Sequence, residues 1–216
     1  MMTLAAAGLA LTACSVQGPQ ASSDAAPGTE NTSADAEYVQ ATEDGPARNV
    51  PEPERPDAIT QQDENGARAA LEYWWAAYRH LELTGDGQHL EAASGSGCSS
   101  CGATRRYWTE LYDQDHWSTG SERTAEDITV ELSGQGTDAT LSFVVDQQDY
   151  DVWMSTGRVL NPDSRNFAPL QDWRAKARYT DEGHWMVYDL WMLYGEREDG
   201  GPDKEPEPEA SEETEA

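Results

Sequence analysis

Residues 184–193 read HWMVYDLWML and are predicted to form the last strand of a sheet. Its side chains alternate between two faces, as they do in a β-strand. One face carries Trp185, Val187, Asp189 and Trp191, and the other carries Met186, Tyr188, Leu190 and Met192. Because both faces are mostly apolar, we expect both to be covered. The strand is therefore predicted to lie in the centre of a sheet, between the helices and another part of the protein.

Three earlier stretches show the same period of two and extend the predicted sheet. Their alternating apolar residues are Ile128, Val130 and Leu132; Ala139, Leu141, Phe143 and Val145; and Trp173, Ala175, Ala177 and Tyr179. The strand that begins at Ala139 is expected to continue to Trp153. Turns are predicted at 134–138 and at 180–183, where TDEG is typical of a hairpin. Residues 154–169 contain a glycine and two prolines and are predicted to form a long loop.

Helices are predicted before the strands. The first covers residues 66–83, where apolar side chains recur every three or four residues at Ala67, Ala70, Leu71, Trp74, Tyr78 and Leu81. Asn65 is its expected N-cap and Gly85 its expected end. A helical turn is expected at 88–93, and a second helix at 104–115. The buried side of that helix is expected to carry Tyr107, Trp108, Leu111 and Tyr112, and residues 113–121 are read as a loop.

Helices followed by antiparallel strands predict an α+β fold, with the N-terminal helices packed on one face of a curved antiparallel sheet. This domain is expected to cover residues 57–195. Residues 14–56 are poor in large apolar side chains, and residues 196–216 carry ten acidic and two basic residues. Such segments cannot bury enough surface to offset the entropy of ordering. We therefore expect a disordered, Pro-rich acidic tether before the domain and a disordered acidic tail after it.

The charge of the chain limits its partners. The 216 residues include 41 acidic and 14 basic ones, giving a formal net charge of −27. Nucleic-acid binding requires Lys and Arg to neutralise phosphates, and flat docking on an anionic membrane requires basic segments. The composition therefore argues against a nucleic-acid partner and against flat docking on a membrane.

Residues 11–14 read LTAC and follow an apolar run at 4–11. This order resembles the lipobox of bacterial lipoproteins. The resemblance implies that residues 1–13 are a signal peptide, and that Cys14 carries a lipid anchor with at least two acyl chains, such as palmitate, as stable anchoring requires. No Lys or Arg precedes the apolar run, which departs from the usual signal peptide, and a chance cysteine is the alternative. The expected location is the extracytoplasmic face of the cell membrane.

The order of elements is similar to the nuclear-transport-factor-2-like fold, which includes ketosteroid-isomerase-like and polyketide-cyclase-like proteins. More narrowly, the chain resembles small actinobacterial lipoproteins of unknown function. The matching features are Cys14, a tether that ends near Pro56, the helix at 66–83 with TGD at 84–86, and the cysteines of CSSC at 98–101. The resemblance implies the fold and the location but no activity. Members of this fold often dimerise through the sheet, so whether this chain forms a homodimer stays open.

With Cys14 lipidated, Cys98 and Cys101 remain in an oxidising compartment. A structural disulfide that fixes the glycine-rich loop to the second helix is the favoured interpretation. A redox role stays open, although a redox C-x-x-C usually follows a strand in a βαβ unit. A metal site would need two more ligands, and the histidines are scattered at His80, His89, His116 and His184. We find no nucleotide, hydrolase or metalloprotease motif, and we expect no metal and no cofactor.

Enzymes of the resembling fold hold an acid–base pair in an apolar cavity, where burial shifts pKa values. The weak catalytic candidates here are Asp189, Tyr78 and Tyr73, with Asp149, Asp151 and His184 as further polar residues. Asp189 interrupts an apolar strand. It is also compatible with a solvent-facing position, or with pairing to Arg174 or Arg178 on the neighbouring strand.

The chain is rich in aromatic residues, with eight Trp and nine Tyr beside two Phe. The candidates for lining a pocket or a partner surface are Trp74, Trp75, Trp108, Trp185 and Trp191. Trp74 and Trp75 diverge by about 100° on a helix, so they are not expected to enter one core together. Either one of them lines such a site or both are half-buried.

Three functions follow from these observations. The favoured one is a non-catalytic domain that binds an envelope protein or a small ligand. The alternatives are an isomerase or cyclase that uses an acid–base pair, and a thiol–disulfide protein that uses Cys98 and Cys101.

Overall fold

The computed structural model describes residues 37–120, 122–160 and 170–193, which form three α-helices and six β-strands. The helices are α1 (Glu64–Thr84), α2 (Gln88–Ala93) and α3 (Ser99–Asp113). The strands are β1 (His116–Gly120), β2 (Arg123–Ser133), β3 (Asp138–Gln147), β4 (Tyr150–Met154), β5 (Leu170–Tyr179) and β6 (Trp185–Met192). Helices followed by antiparallel strands confirm the α+β class. The predicted signal peptide, Cys14 and the acidic tail lie outside the described residues.

Helix α1 begins two residues earlier than the sequence predicted. Its N-cap is Asp63, whose carboxylate accepts a hydrogen bond of 2.9 Å from the Gly66 backbone N–H. The prediction of Asn65 as the cap was wrong, because Asn65 lies inside the first turn and donates to the side chain of Gln61. Gly85 ends the helix as predicted, with a left-handed φ of 75°.

The strands form two antiparallel sheets. The larger one has the order β2-β3-β5-β6, and the smaller one pairs β1 with β4. The sequence predicted a loop at 113–121, whereas His116–Gly120 form β1. It also predicted one strand from Ala139 to Trp153, whereas the chain leaves β3 after Gln147 and enters the other sheet as β4. Apolar alternation continues through this break, which is why the sequence pattern did not reveal it.

The prediction that the last strand is central was wrong. In the described part of the chain, β6 is the end strand of the larger sheet. Its inner face is nevertheless buried, and its outer face is partly covered. Val187 is fully buried beneath the helices, while Arg178 lies over the ring of Tyr188 and Lys176 over the ring of Trp191 on β6. The sequence pattern predicted that another part of the protein packs on this outer face of β6. The long side chains of β5 cover its apolar rings instead.

The core lies between α1 and the inner face of the larger sheet. The predicted alternation of β3 is confirmed, since Ala139, Leu141, Phe143 and Val145 are each at most 3% exposed. Ala175 and Ala177 of β5 are also buried. Within α3, Trp108 and Leu111 are buried as predicted, but Tyr107 is 48% exposed and its assignment to the buried side was wrong. None of the helices described here has the length and apolar character required to cross a bilayer.

Residues 37–50 pack on the domain, although the sequence placed them in a tether. Val39 and Arg48 exchange two backbone hydrogen bonds of 2.9 Å, which folds this segment back on itself. The Trp117 indole N–H of β1 donates to the Thr42 carbonyl at 2.7 Å, and Ala41 is 6% exposed. Residues 37–50 therefore contact the domain, although they precede its predicted start.

Candidate functional site: an aromatic cavity

A cavity of about 440 Å³ lies among α1, α3 and the ends of the strands. Six of the residues that line it are aromatic: Trp74, Trp75, Tyr78, Tyr150, Trp173 and Trp191. Its volume falls in the range of small-molecule sites in proteins. The cavity is therefore the candidate functional site of this domain.

Helix α1 carries three of the aromatic residues that line the cavity. Trp74 and Tyr78 are one turn apart and stack with ring centroids 5.6 Å apart. The ring of Trp75 packs edge-on against that of Trp74, with centroids 5.1 Å apart, and also edge-on against Trp173 of β5 at 5.8 Å. Trp74 is 2% and Trp75 is 9% exposed, so the expectation that adjacent tryptophans cannot share a core was wrong. Both are buried because their rings meet in one aromatic cluster, in which Trp75 also packs edge-on against Tyr78 at 5.7 Å.

Burial keeps the Tyr78 hydroxyl protonated. The indole N–H of Trp108 donates a hydrogen bond of 3.2 Å to this hydroxyl, which acts to lower the pKa of Tyr78 but does not outweigh burial. Burial raises the pKa of Tyr78 well above its usual value, and nearby Glu82 raises that pKa further. A phenol with so high a pKa does not act as a base at neutral pH.

Glu82 and Arg123 form an ion pair beside Tyr78. The Glu82 side chain is fully buried, and its carboxylate accepts a hydrogen bond from the Arg123 guanidinium. Arg79 also approaches Glu82, at 3.6 Å. Burial acts to lower the pKa of Arg123, but Tyr78 and Glu82 outweigh it, so that pKa lies above its usual value. Arg123 therefore stays charged, and Glu82 balances the charge.

Arg123 lies between two cavities. A second cavity of about 290 Å³ adjoins the main one, and both are lined by Tyr78, Thr104, Arg123 and Tyr150. The guanidinium carbon is 4.9 Å from the ring centroid of Tyr78 and 5.8 Å from that of Tyr150. Gln147 of β3 is the strand partner directly opposite Arg123 of β2, and it also lines the main cavity.

Sequence reasoning missed Glu82 and Arg123, because 41 residues separate them. One signal was present: Glu82 follows Tyr78 by four residues, and its neighbours in sequence, Leu81 and Leu83, are apolar. A charged side chain on the buried side of a helix requires a partner. The sequence alone did not indicate which basic residue that partner is.

Asp189 does not line the cavity. Lys176 is paired with Asp189 and Ala177 with Val187, so a β-bulge at Tyr188 separates these pairs. The bulge reverses the alternation, and Leu190 rather than Asp189 points to the core, with 7% of its surface exposed. The prediction that Asp189 shares the face of Val187 was therefore wrong. The Asp189 carboxylate accepts a hydrogen bond from the Leu190 backbone N–H.

The other predicted site residues are divided among several places. Trp74, Trp75, Tyr78 and Trp191 line the main cavity, and Trp108 lines the second one. Trp185 belongs to the core, where its indole N–H donates to the Gln61 carbonyl. Tyr73 is buried outside both cavities, and burial raises its pKa, an effect that Arg55 partly offsets.

Cys98 and Cys101 are joined by a disulfide at the start of α3, with their Cα atoms 5.3 Å apart. Both are at most 7% exposed and belong to the hydrophobic core. The sulfur of Cys98 also accepts a hydrogen bond from the Cys101 backbone N–H, which satisfies an N-terminal donor of the helix. In the part of the chain that the structure describes, no cluster of three His, Cys, Asp or Glu residues could hold a metal ion.

Several solved structures are similar to this chain at low identity. The intermembrane-space region of chloroplast protein ARC6 is 12% identical, with a TM-score of 0.39, over 62% of this chain and 98% of that one. A candidate ketosteroid isomerase from Shewanella frigidimarina is 9% identical, with a TM-score of 0.38, over 59% and 94%. A candidate polyketide cyclase from Xanthomonas campestris is 15% identical, with a TM-score of 0.34, over 61% and 92%.

No functionally curated protein matches the sequence. A family model does match it, over residues 36–190, which is well over half of the chain. The matched region begins just before the segment that packs on Trp117 and ends within β6. The chain therefore belongs to DUF6318, a family of unknown function.

Proposed function

We propose that this protein is a lipid-anchored envelope protein whose domain binds a small, mainly apolar ligand in the aromatic cavity without transforming it. One observation carries the binding part: a cavity of about 440 Å³ whose described lining residues include six aromatic ones and a single charged one. Apolar cavities with a few polar groups are typical binding sites.

The chemistry of the lining supports binding rather than catalysis. An isomerase or cyclase of the acid–base type requires a group that takes up a proton near neutral pH. Among the described residues that line the cavity there is no Asp, Glu or His. Tyr78 and Arg123 both have pKa values above their usual ones, so neither is a base at neutral pH.

The buried disulfide supports a structural role for Cys98 and Cys101. A thiol–disulfide protein must expose one sulfur to its partner. Both cysteines are nearly inaccessible here, at 7% and 3% exposure. We therefore place the function in the cavity and not at the cysteines.

The location rests on the sequence. The lipobox at 11–14 supports acylation of Cys14 and removal of the residues before it. Expression in a lipoprotein-processing bacterium with an alkyne-tagged palmitate tests this. The wild type should incorporate the label and fractionate with membranes, and Cys14→Ser should do neither. Equal labelling of the variant would contradict the anchor.

A fluorescent probe tests the binding part. The neutral probe N-phenyl-1-naphthylamine gains fluorescence when it enters an apolar site, so the wild-type protein should enhance it and the enhancement should saturate. Thr104 of α3 lines both cavities, and Thr104→Trp should fill the space and abolish the enhancement. Arg106→Trp is the matched control, since Arg106 lies on the same helix and is exposed. Loss of the signal in both variants, or in neither, would count against cavity binding.

A further inference from the structure

Gln147, the last residue of β3, brings a side-chain amide to the main cavity. Side chains alternate between the two faces of a strand, and Gln147 follows Leu141, Phe143 and Val145 on the buried inner face of β3. It is 9% exposed and lines the cavity together with Arg123, its strand partner on β2. The pleat of β3 therefore directs this side chain inwards, towards the cavity.

The Gln147 amide has no hydrogen-bond partner within the part of the chain that the structure describes. The buried polar side-chain atoms there that are both unpaired and closed to water belong to other residues, namely Trp75, His116, Gln171 and Trp173. The Gln147 amide is thus unpaired without being closed off, and it lines a cavity large enough for a small molecule. An amide in such a place loses free energy unless it is paired, so an occupant that pairs with it is favoured.

The other polar groups of the lining do not select a charged ligand. The Arg123 guanidinium is paired with the fully buried carboxylate of Glu82, so its charge is balanced within the protein. Ser100 and Thr104 carry hydroxyls, which both donate and accept. The amide of Gln147, in contrast, presents a carbonyl acceptor and an NH2 donor side by side. A neutral group with a donor and an acceptor in the same arrangement matches it.

We infer that the ligand is a neutral, planar aromatic molecule with a cis-amide edge, as in a lactam, whose N–H donates to the Gln147 carbonyl and whose carbonyl accepts from the Gln147 NH2. This inference rests on the proposed function. The ring system follows from the six aromatic residues of the lining, since aromatic rings favour stacked and edge-on contacts with other rings. The cis-amide edge follows from Gln147, because such an edge satisfies both halves of a glutamine amide at once.

Two isomers that differ in a single hydrogen-bond donor test the inference by isothermal titration calorimetry. The lactam 4-methylquinolin-2-one keeps its ring N–H, whereas 1-methylquinolin-2-one carries the same methyl group on that nitrogen and has no donor. Their ring system and their number of atoms are equal. The first isomer should bind the wild-type protein about fivefold tighter or more, because the second leaves the Gln147 carbonyl without a partner.

Gln147→Met removes the amide and keeps the length of the side chain. It should bring the affinities of the two isomers to within about twofold of each other, since neither isomer then finds a hydrogen-bond partner at residue 147. A steric effect of the N-methyl group would instead leave the preference in place. Gln171→Met is the matched control: Gln171 is also 9% exposed and lies on the neighbouring strand β5, but it is not among the described lining residues. It should keep the preference of the wild type.

The outcomes separate the two proposals. If N-phenyl-1-naphthylamine binds but the isomers bind equally or not at all, or if Gln147→Met keeps the preference, the cis-amide inference is overturned while the binding function stands. Failure of the isomers and of N-phenyl-1-naphthylamine to bind would overturn both.

A second measurement uses the wild-type protein and does not depend on how well a variant folds. In a ¹⁵N-correlated NMR spectrum, 4-methylquinolin-2-one should shift the side-chain NH2 signals of Gln147 and leave those of Gln171 in place. Unchanged Gln147 signals at saturating 4-methylquinolin-2-one would overturn the inference.

Discussion

Glu82 of α1 and Arg123 of β2 form a buried ion pair that joins the first helix to the sheet. The Glu82 side chain is 0% exposed and that of Arg123 is 11% exposed. Two further groups converge on Glu82: the hydroxyls of Tyr112 and Ser118 donate to its backbone carbonyl at 2.9 and 3.0 Å. The pair therefore forms the centre of a polar network within an apolar core.

Removing one partner of this ion pair should strongly destabilise the folded state. Arg123→Met leaves the Glu82 carboxylate buried without its main partner and should lower the free energy of unfolding by about 3–5 kcal/mol. The double variant Glu82→Gln/Arg123→Met should lose less than the sum of the two single variants, because no charge is left uncompensated. Urea unfolding measures both. Arg178→Met is the control: its pair with Asp138 is exposed, so the loss should be much smaller. If the loss in the double variant equals the sum of the losses in the two single variants, Glu82 and Arg123 are not energetically coupled.

The N-cap of α1 can be tested by two neighbouring substitutions. Asp63→Ala removes the acceptor of the Gly66 N–H and should lower the free energy of unfolding by about 1 kcal/mol. Asn65→Ala removes only an exposed side-chain hydrogen bond and should change the stability by less than half as much. Thermal unfolding followed by circular dichroism distinguishes the two variants. A larger loss of stability in Asn65→Ala than in Asp63→Ala would indicate that Asn65 is the cap.

The disulfide should contribute stability and not activity. Replacing Cys98 and Cys101 with serine reopens a short loop and should lower the free energy of unfolding by about 2 kcal/mol. Binding of N-phenyl-1-naphthylamine should persist below the melting temperature, since neither cysteine lines the main cavity. A variant that keeps its stability but loses its cellular function would instead indicate thiol chemistry.

His80 should make the stability depend on pH. Burial and the nearby His89, whose ring centroid is 5.1 Å away, lower the pKa of His80 below 6.5, while Asp86 and Glu52 act in the opposite direction. The folded state therefore binds fewer protons than the unfolded state. The stabilisation is complete above about pH 6.5 and is lost as the pH falls through the lower pKa of the folded state.

The measurement is urea unfolding between pH 7.5 and pH 5. The wild type should lose stability across this range, and His80→Gln should lose less. If the free energy of unfolding falls equally with pH in His80→Gln and in the wild type, His80 is not responsible for the pH dependence.

The sequence predicted the parts of this fold that depend on local pattern. The alternation of β3 and β5, the helix at 66–83 and the stop at Gly85 each follow from side-chain periodicity or backbone freedom, and each is confirmed. The errors arose where long-range pairing decides the structure. The bulge at Tyr188 changes the face of Asp189, and it depends on the register with β5, which no local pattern contains.

The candidate site was predicted only in part for the same reason. Aromatic residues at one-turn spacing indicated Trp74 and Tyr78, because α1 alone positions them. Arg123, Gln147 and Trp173 reach the cavity from three different strands. Their proximity depends on sheet order, so the full lining of the cavity became visible only in three dimensions.

Trp117 should hold residues 37–50 against the domain. Its indole N–H donates to the Thr42 carbonyl at 2.7 Å, 75 residues away in sequence, and Ala41 beside Thr42 is buried. Trp117→Phe keeps most of the ring and removes this bond, so amide hydrogen exchange at Val39 and Arg48 should become faster while exchange in β3 stays the same. Trp153→Phe removes an indole bond to Thr119 instead and should leave Val39 and Arg48 protected. Unchanged exchange in Trp117→Phe would show that the segment is held by its own backbone pairing, because Val39 and Arg48 also bond to each other.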